Sequence, residues 1–343
     1  MAIDLDNRAH RVLLAIIEDY INLGEPVGSR TISKKRGIDV SPATIRNIMA
    51  DLEDVGLLVQ PHTSAGRIPT ENAFRFYVDH LVRVRDTLTD AQNFEANINP
   101  TGMEVKEIVR EVSRILSNIS HCTSLVRSPR FAETIFKYIN FVKLSENRIL
   151  AILVSRSGMV HNKLIIGDEE LDTDKLTWMS NYLNDLLNNL TLMEVRRKII
   201  KEMEDERTRY NELLYKALSM SRALIEDEVE EELVIEGSSY ILDYPEFTDV
   251  EKMRKIFQAF ENKGLLLKLL DKVSRADGIK VFIGSESNIQ DMIDCTLIAS
   301  PYKREGRIVG SVGVIGPTRM DYARVIPVVD FTAQLIGSIL DEM

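Results

Sequence analysis

Ser41-Pro42-Ala43-Thr44-Ile45-Arg46-Asn47-Ile48-Met49-Ala50-Asp51-Leu52-Glu53-Asp54-Val55-Gly56 is the stretch whose reading decides the fold. Ser41 is a strong N-cap, because its hydroxyl accepts a backbone N–H that the first helical turn leaves without a partner. Pro42 then falls at the first helical position, where its missing N–H costs nothing. Ile45, Ile48, Met49, Leu52 and Val55 recur at helical spacing and form one apolar stripe, and Gly56 stops the helix. With that stripe turned to a core, Ala43, Thr44, Arg46 and Asn47 point away from it, beside Ser41 at the N-terminal end.

Upstream, Arg8 to Leu23 reads as a helix with Val12, Leu13, Ile16, Ile17 and Tyr20 on one face, ended by Gly24 and Pro26. Ser29–Arg36 reads as a short second helix with Gly37 as its C′ residue. Downstream, Leu57–Gln60 reads as a short strand and Pro61 to Thr70 as a polar loop with Gly66 near its tip. Thr70 caps a further helix carrying Phe74, Tyr77, Val78, Leu81, Val82 and Leu88 on one stripe. Three helices, a strand and a glycine-tipped loop in that order predict a winged helix-turn-helix, whose third helix enters the major groove of DNA. In that setting Arg46 suits a bidentate bond to guanine and Asn47 to adenine, with Ser41, Ala43 and Thr44 beside them. Arg30, Lys34 and Lys35 on the preceding helix suit phosphates, which set register but carry no sequence information. The wing is Thr63-Ser64-Ala65-Gly66-Arg67, with Thr63, Ser64 and Arg67 as candidate contacts and Arg67 long enough to enter a minor groove.

The net charge is −10, which over the whole chain argues against a nucleic-acid partner. The charge is segregated, however. Between Gly28 and Asn47, five basic residues (Arg30, Lys34, Lys35, Arg36 and Arg46) stand against Asp39 alone, while acid concentrates in Glu226–Glu232. One module therefore suits phosphate and the remainder does not. A length of 343 residues accommodates two or three domains. No uninterrupted apolar run approaches the ~20 residues of a membrane span. The N-terminus lacks the pattern of a signal peptide, and Cys122 and Cys295 are too few for a disulfide framework, which together point to the cytoplasm. Five scattered histidines show no metal spacing, and phosphate-loop, nucleophile-elbow and Cys-x-x-Cys motifs are absent. No convergent acid–base or nucleophile pair favours an enzyme, and nothing calls for a cofactor. His121-Cys122 at a helix end reads as a buried or capping pair, with redox or metal sensing as the alternative.

Beyond the polar stretch Asp90–Met103, read as a linker, Val105, Ile108, Val109, Val112, Ile115, Leu116 and Ile119 form an amphipathic helix. Strands are expected at Lys137–Leu144, Ile149–Ser155 and Met159–Ile166. Leu171 to Ile225 reads as almost wholly helical, with Thr191 and Glu194 as a capping box. The chain then returns to mixed patterning. Thr248 and Glu251 are read as a capping box, with strands at Ile279–Ile283, Cys295–Tyr302 and Arg307–Ile315. A final helix runs through Leu340, which Pro327 should start or kink.

Several of these stretches resemble the HrcA family of heat-inducible repressors. They are Val27-Gly28-Ser29-Arg30, Ser41–Asn47, Met49–Glu53, Gly56-Leu57-Leu58, His62–Thr70 and, near the C-terminus, Gly310–Tyr322. Pro327 departs from the non-proline residue expected there. The resemblance spans the chain and implies a multidomain α+β protein. Its expected parts are a winged helix-turn-helix DNA-binding domain (1–80), a helix end and linker (81–104), a GAF-like α/β domain (105–167 and 237–343) and an inserted, mainly helical dimerisation domain (168–236). It also implies a homodimer that binds double-stranded DNA at the CIRCE inverted repeat upstream of chaperone operons. Repression there is relieved on heat stress and depends on the GroEL chaperonin. GAF-like folds often hold small ligands, so a small-molecule-sensing winged-helix repressor is the alternative.

Overall fold

The structure is a computed structural model that describes residues 5–35, 38, 40–62, 65–83, 103–129, 135–156, 160–166, 171–204, 212–226, 233–274 and 278–342. It begins with α1 (Asn7–Leu23), α2 (Ser29–Ile32), α3 (Pro42–Asp54), β1 (Leu58–Val59), β2 (Ile68–Pro69) and α4 (Glu71–Arg83). Val12, Leu13, Ile16, Ile17, Ile32, Ile45, Met49, Leu52, Leu57 and Phe74 are buried together. Thr70 does what its sequence position suggested: its hydroxyl accepts from Ala73 N (3.3 Å) and donates to Gly56 O (2.8 Å), tying the start of α4 to the end of α3.

Two details differ from expectation. α2 stops at Ile32, short of Arg36, and Gly37 lies outside the described residues. Val55 is 49% exposed, because α3 ends at Asp54 and Val55 is its C-cap; Leu57 fills the core position in its place. Leu88 and most of the expected linker, residues 84–102, also lie outside the described residues.

The chain continues through α5 (Val105–Ser120) and β3 (Thr123–Arg127), then β4 (Phe136–Ser145), β5 (Arg148–Ser155) and β6 (Val160–Ile166). Three helices follow, α6 (Thr173–Leu187), α7 (Leu192–Glu204) and α8 (Glu212–Glu226). It closes with β7 (Leu233–Glu236), α9 (Val250–Glu261), α10 (Lys263–Ser274), β8 (Lys280–Ile283), β9 (Cys295–Arg304), β10 (Arg307–Pro317) and α11 (Tyr322–Glu342). Thr191 and Glu194 make the expected reciprocal cap. The cap of α9, by contrast, is Asp249, whose carboxylate accepts from Glu251 N (2.8 Å), and not Thr248, which belongs to the preceding turn.

Five strands form an antiparallel sheet in the order β7-β3-β10-β9-β8. Successive residues of a strand face opposite sides, and here both sides are covered. Val126, Ile298, Val312 and Val314 meet α5 and α11, in a core continuous with that of the N-terminal module. Leu125, Leu297, Ala299 and Ile315 meet α9 and α10.

α11 is the one helix among the described residues long and apolar enough to cross a membrane, and more than half of that stretch is buried in the protein. Its Val325, Val329, Ile336 and Leu340 are core residues. Pro327 neither starts this helix nor ends it. It deprives the Ala323 carbonyl of its usual donor, but Ala323 is exposed, where water replaces the bond.

The sheets also redraw one expected boundary. β4, β5 and β6 form their own antiparallel sheet, separate from the five strands, so residues 136–166 do not continue the first sheet. Phe136, Ile139, Phe141, Ile149, Ala151 and Leu153 from this sheet pack with Leu176, Met179, Leu183, Val195, Ile199 and Leu218 from the three helices. The division at 167/168 therefore cuts through a single core. Asn184 exchanges two hydrogen bonds with the Ile139 backbone, and Ser180 accepts from Phe141 N, so α6 covers the free edge of β4. Leu233, placed in the insert by the sequence reading, pairs directly with Arg127 across the five-stranded sheet. The chain thus leaves and re-enters that sheet at adjacent points, which lets a whole folded unit be inserted without disturbing the ladder.

His121 caps α5 in the left-handed conformation (φ 52°), and Cys122 and Cys295 are both buried. Burial pushes the Cys122 thiol up to about 11 and the Cys295 thiol up to about 12. The thiolate is the reactive form, so iodoacetamide at pH 8 is expected to modify neither cysteine in the folded protein and both in urea, as read by mass spectrometry.

Candidate nucleic-acid interface

The N-terminal end of α3 is open to solvent. Ser41 Oγ accepts from Thr44 N (3.1 Å) and shares a hydrogen bond with Thr44 Oγ1 (2.9 Å), which holds the first turn closed. A cap of this kind stabilises a helix by about 1 kcal/mol. Ser41, Ala43, Thr44, Arg46 and Asn47 are all exposed, while Ile45 and Met49 on the opposite face are buried. The result is a polar row at the positive end of a helix dipole, backed by a fixed core. Arg30 and Lys34 are exposed nearby on and after α2.

Lys35 behaves differently from its neighbours. Its ammonium pairs with Asp19 at 2.6 Å and reaches Ala15 O at 3.4 Å, bracing the turn after α2 against α1. Asp19 is a buried acid on an otherwise apolar face, and Lys35 is its counter-ion. Lys35 thus acts as a structural brace in this state, with its ammonium already engaged.

The wing is short. β1 and β2 pair through Leu58↔Pro69 and Val59↔Ile68, and Ala65 N bonds to His62 O across the turn. Val27 and Arg67 exchange two backbone hydrogen bonds of 2.9 Å, fastening the wing to the segment before α2. Gly66 makes this possible, since a Cβ there would stand 2.4 Å from Val27 O. Arg67 does not extend from the wing: its Nε donates to Glu53 Oε2 at 2.8 Å. Glu53 is seven residues after Arg46 and so lies on the same side of α3, two turns further along. Thr63 and Ser64 lie outside the described residues.

The structure therefore brings Ser41, Ala43, Thr44, Arg46 and Asn47 into one exposed row, with Arg30 and Lys34 exposed on the adjoining segment. It engages Lys35 and Arg67 in ion pairs with acids that the sequence reading did not single out. The heptad-like spacing of Glu53 from Arg46 was a visible signal for one of them; Asp19 gave none, being an acid among apolar neighbours of a long helix.

The profile of the family described as HrcA protein C terminal domain matches residues 106–326. A heat-inducible transcription repressor HrcA from Geobacter sulfurreducens is 46% identical over 339 residues, covering 98% of this chain and 99% of that protein. The repressor of the same description from Syntrophobacter fumaroxidans is 43% identical over 348 residues, covering 99% and 98%. The crystal structure of a hypothetical protein shares the fold, with a TM-score of 0.68 at 23% identity over 99% of both chains. The relatives extend the match through α1–α4 and the exposed row of α3, and on that ground the chain belongs to the HrcA family of heat-inducible transcription repressors.

Proposed function

We propose that this chain is a negative regulator of class I heat-shock (chaperone) operons that binds the CIRCE inverted repeat as a homodimer. In this reading heat relieves repression, the GroEL chaperonin keeps the repressor active, and the protein works in the cytoplasm. The observation that carries it is the exposed row Ser41–Asn47 at the open end of a core-backed helix, in a module whose wing is fastened beside it. Arg46 and Asn47 are the base-reading candidates, Arg30 and Lys34 the phosphate-binding ones, and Thr63 and Ser64 remain candidates on the wing. The five-stranded sheet with its two layers of helices is the GAF-like unit.

An inverted repeat calls for a two-fold protein. The helices of the inserted unit, expected to dimerise, turn their apolar residues inward: Leu176, Met179, Leu183 and Leu187 are all core residues of their own unit. Among the described residues, an apolar surface is left free on the outer face of the β4-β5-β6 sheet. Tyr138, Val142, Leu144, Val160 and Leu164 are exposed there, and Ile166 is 83% exposed. Register places Leu150 between Val142 and Leu164, so the residues form a continuous patch across three strands. Such a patch is unusual on a monomer, and a second copy of the chain is the occupant that the operator's symmetry requires. Leu164→Lys with Ile166→Lys is expected to convert the dimer to monomer in sedimentation, with the secondary structure unchanged by circular dichroism.

The DNA contacts are tested by gel shift at two salt concentrations on intact and scrambled inverted repeats. Arg46→Ala should lower discrimination between them by roughly 1–3 kcal/mol. Lys34→Ala should weaken binding to both and reduce the salt slope by about one unit. Equal loss of discrimination from both substitutions would reverse the assignment of base and phosphate contacts.

A further inference from the structure

Two stretches have no part in reading DNA: the turn Gly284-Ser285-Glu286-Ser287 and the C-terminal run through Tyr322. Both touch the back of the N-terminal module, on α1 and α4. Arg75 of α4 grips Glu286 with two guanidinium nitrogens, Nε donating to Oε1 at 2.8 Å, and donates from Nη2 to Val281 O at 2.6 Å. The Glu286 carboxylate is itself pinned, since Oε2 accepts from Ile283 N at 2.9 Å. One turn earlier, Glu71 accepts from Ser285 Oγ (2.5 Å) and Ser285 N (3.3 Å). Gly284 has φ +50°, and a Cβ there would fall 2.0 Å from Glu71 Oε1, so glycine is what lets the turn close on α4.

Arg319 makes the second attachment. It forms two bonds with the Glu246 carboxylate, lies over the Tyr244 ring at 5.9 Å, and donates from Nη1 to Ile21 O at 3.1 Å. Ile21 is in the last turn of α1, whose carbonyls have no helical donors and carry the negative end of the dipole. Between the two attachments the Phe74 and Tyr77 rings pack on Tyr322, at 5.8 and 6.4 Å.

We propose that Arg75 and Arg319 are positioning residues for operator recognition: they fix the DNA-reading module on the five-stranded unit and thereby set the half-site spacing that the dimer accepts. This inference rests on the dimeric, inverted-repeat reading above. Bidentate arginine–carboxylate pairs hold direction as well as distance. One such pair, Arg75–Glu286, joins the module to the sheet unit, and Arg319, oriented by Glu246 within its own unit, reaches across to Ile21 O; with the aromatic contact between them, these separate attachments leave the module no free axis about which to turn. Half-sites one helical turn apart lie ~34–36 Å from centre to centre, so a module free to swing loses that register while each α3 still reads its own bases.

The test uses the full chain with Arg75→Ala and Arg319→Ala combined. Gel shifts compare operators of native spacing, spacings changed by one to four base pairs, and a single half-site. The wild type should bind sharply best at native spacing. The double variant should bind the native operator at least about tenfold more weakly, lose its preference among spacings and bind the half-site unchanged. A wild-type spacing profile in the variant would overturn the proposal, and so would tighter binding at native spacing. Should the double variant fail to fold, the charge swap serves: Arg75→Glu and Glu286→Arg each flatten the profile alone and restore it together. Electron spin-label distances between Ala50→Cys and Lys272→Cys, in labelled chain diluted with unlabelled chain, read the orientation without DNA or dimer. They should be narrow in the wild type and broad in the variants, and equal widths overturn the proposal. A wild type that prefers no inverted repeat, with narrow label distances that broaden in the variants, would sink the operator reading while leaving the fixed module standing.

Discussion

The hairpin of β9 and β10 is buried on both faces, and most of the architecture follows from that constraint. From Cys295 to Tyr302 every residue of β9 is buried, so the hairpin needs a layer of helices on each side before it can exist in water. α5 and α11 supply one layer and α9 and α10 the other. The DNA-reading module stands on the first layer, through Tyr322 at the start of α11. The inserted unit leaves the sheet at Arg127 and returns at Leu233, opposite each other on neighbouring strands. Neither addition costs the central hairpin a hydrogen bond.

The same constraint explains the composition of α11. By length and hydropathy it resembles a membrane span, yet its apolar content is what a helix needs when it covers a fully buried hairpin. Pro327 is tolerated because the carbonyl it leaves unbonded belongs to Ala323 on the solvent side.

Local signals made the N-terminal module legible. Ser41 and Pro42 at the start of α3, Thr70 at the start of α4 and the stripe Ile45, Met49, Leu52 are read from residues within a few positions of each other, and all act as read. Thr248 was misread because Asp249, one residue later, offers a charged acceptor in the same geometry. The assignment of β4–β6 was not legible, since alternation shows that a strand has a buried face but not which layer buries it. Ile139 and Leu153 look alike whether they meet α5 or α6. The ion pairs of Lys35 and Arg67 were not legible for a related reason: a basic residue in a basic stretch advertises charge, while its partner, Asp19 or Glu53, lies 14 or more residues away.

Those two ion pairs bear on how the interface works. The local excess of positive charge counts Lys35, but its charge is matched by Asp19, and Arg67 on the wing is matched by Glu53. For Arg67 to take a phosphate it must exchange one anion for another of the same forked geometry, so its net gain is smaller than that of a side chain moving from water. Among the described residues, Arg30, Lys34 and Arg46 have no carboxylate partner of that kind and stand exposed. In the proposed reading binding strength therefore concentrates on few residues at the open end of α3, while Glu53–Arg67 keeps the wing folded alongside. The module reads with one face and is held by the other. In the proposed reading a substitution at Arg46 acts on base recognition, whereas one at Arg75 or Arg319, on the opposite side of the module, acts on where the two reading faces stand.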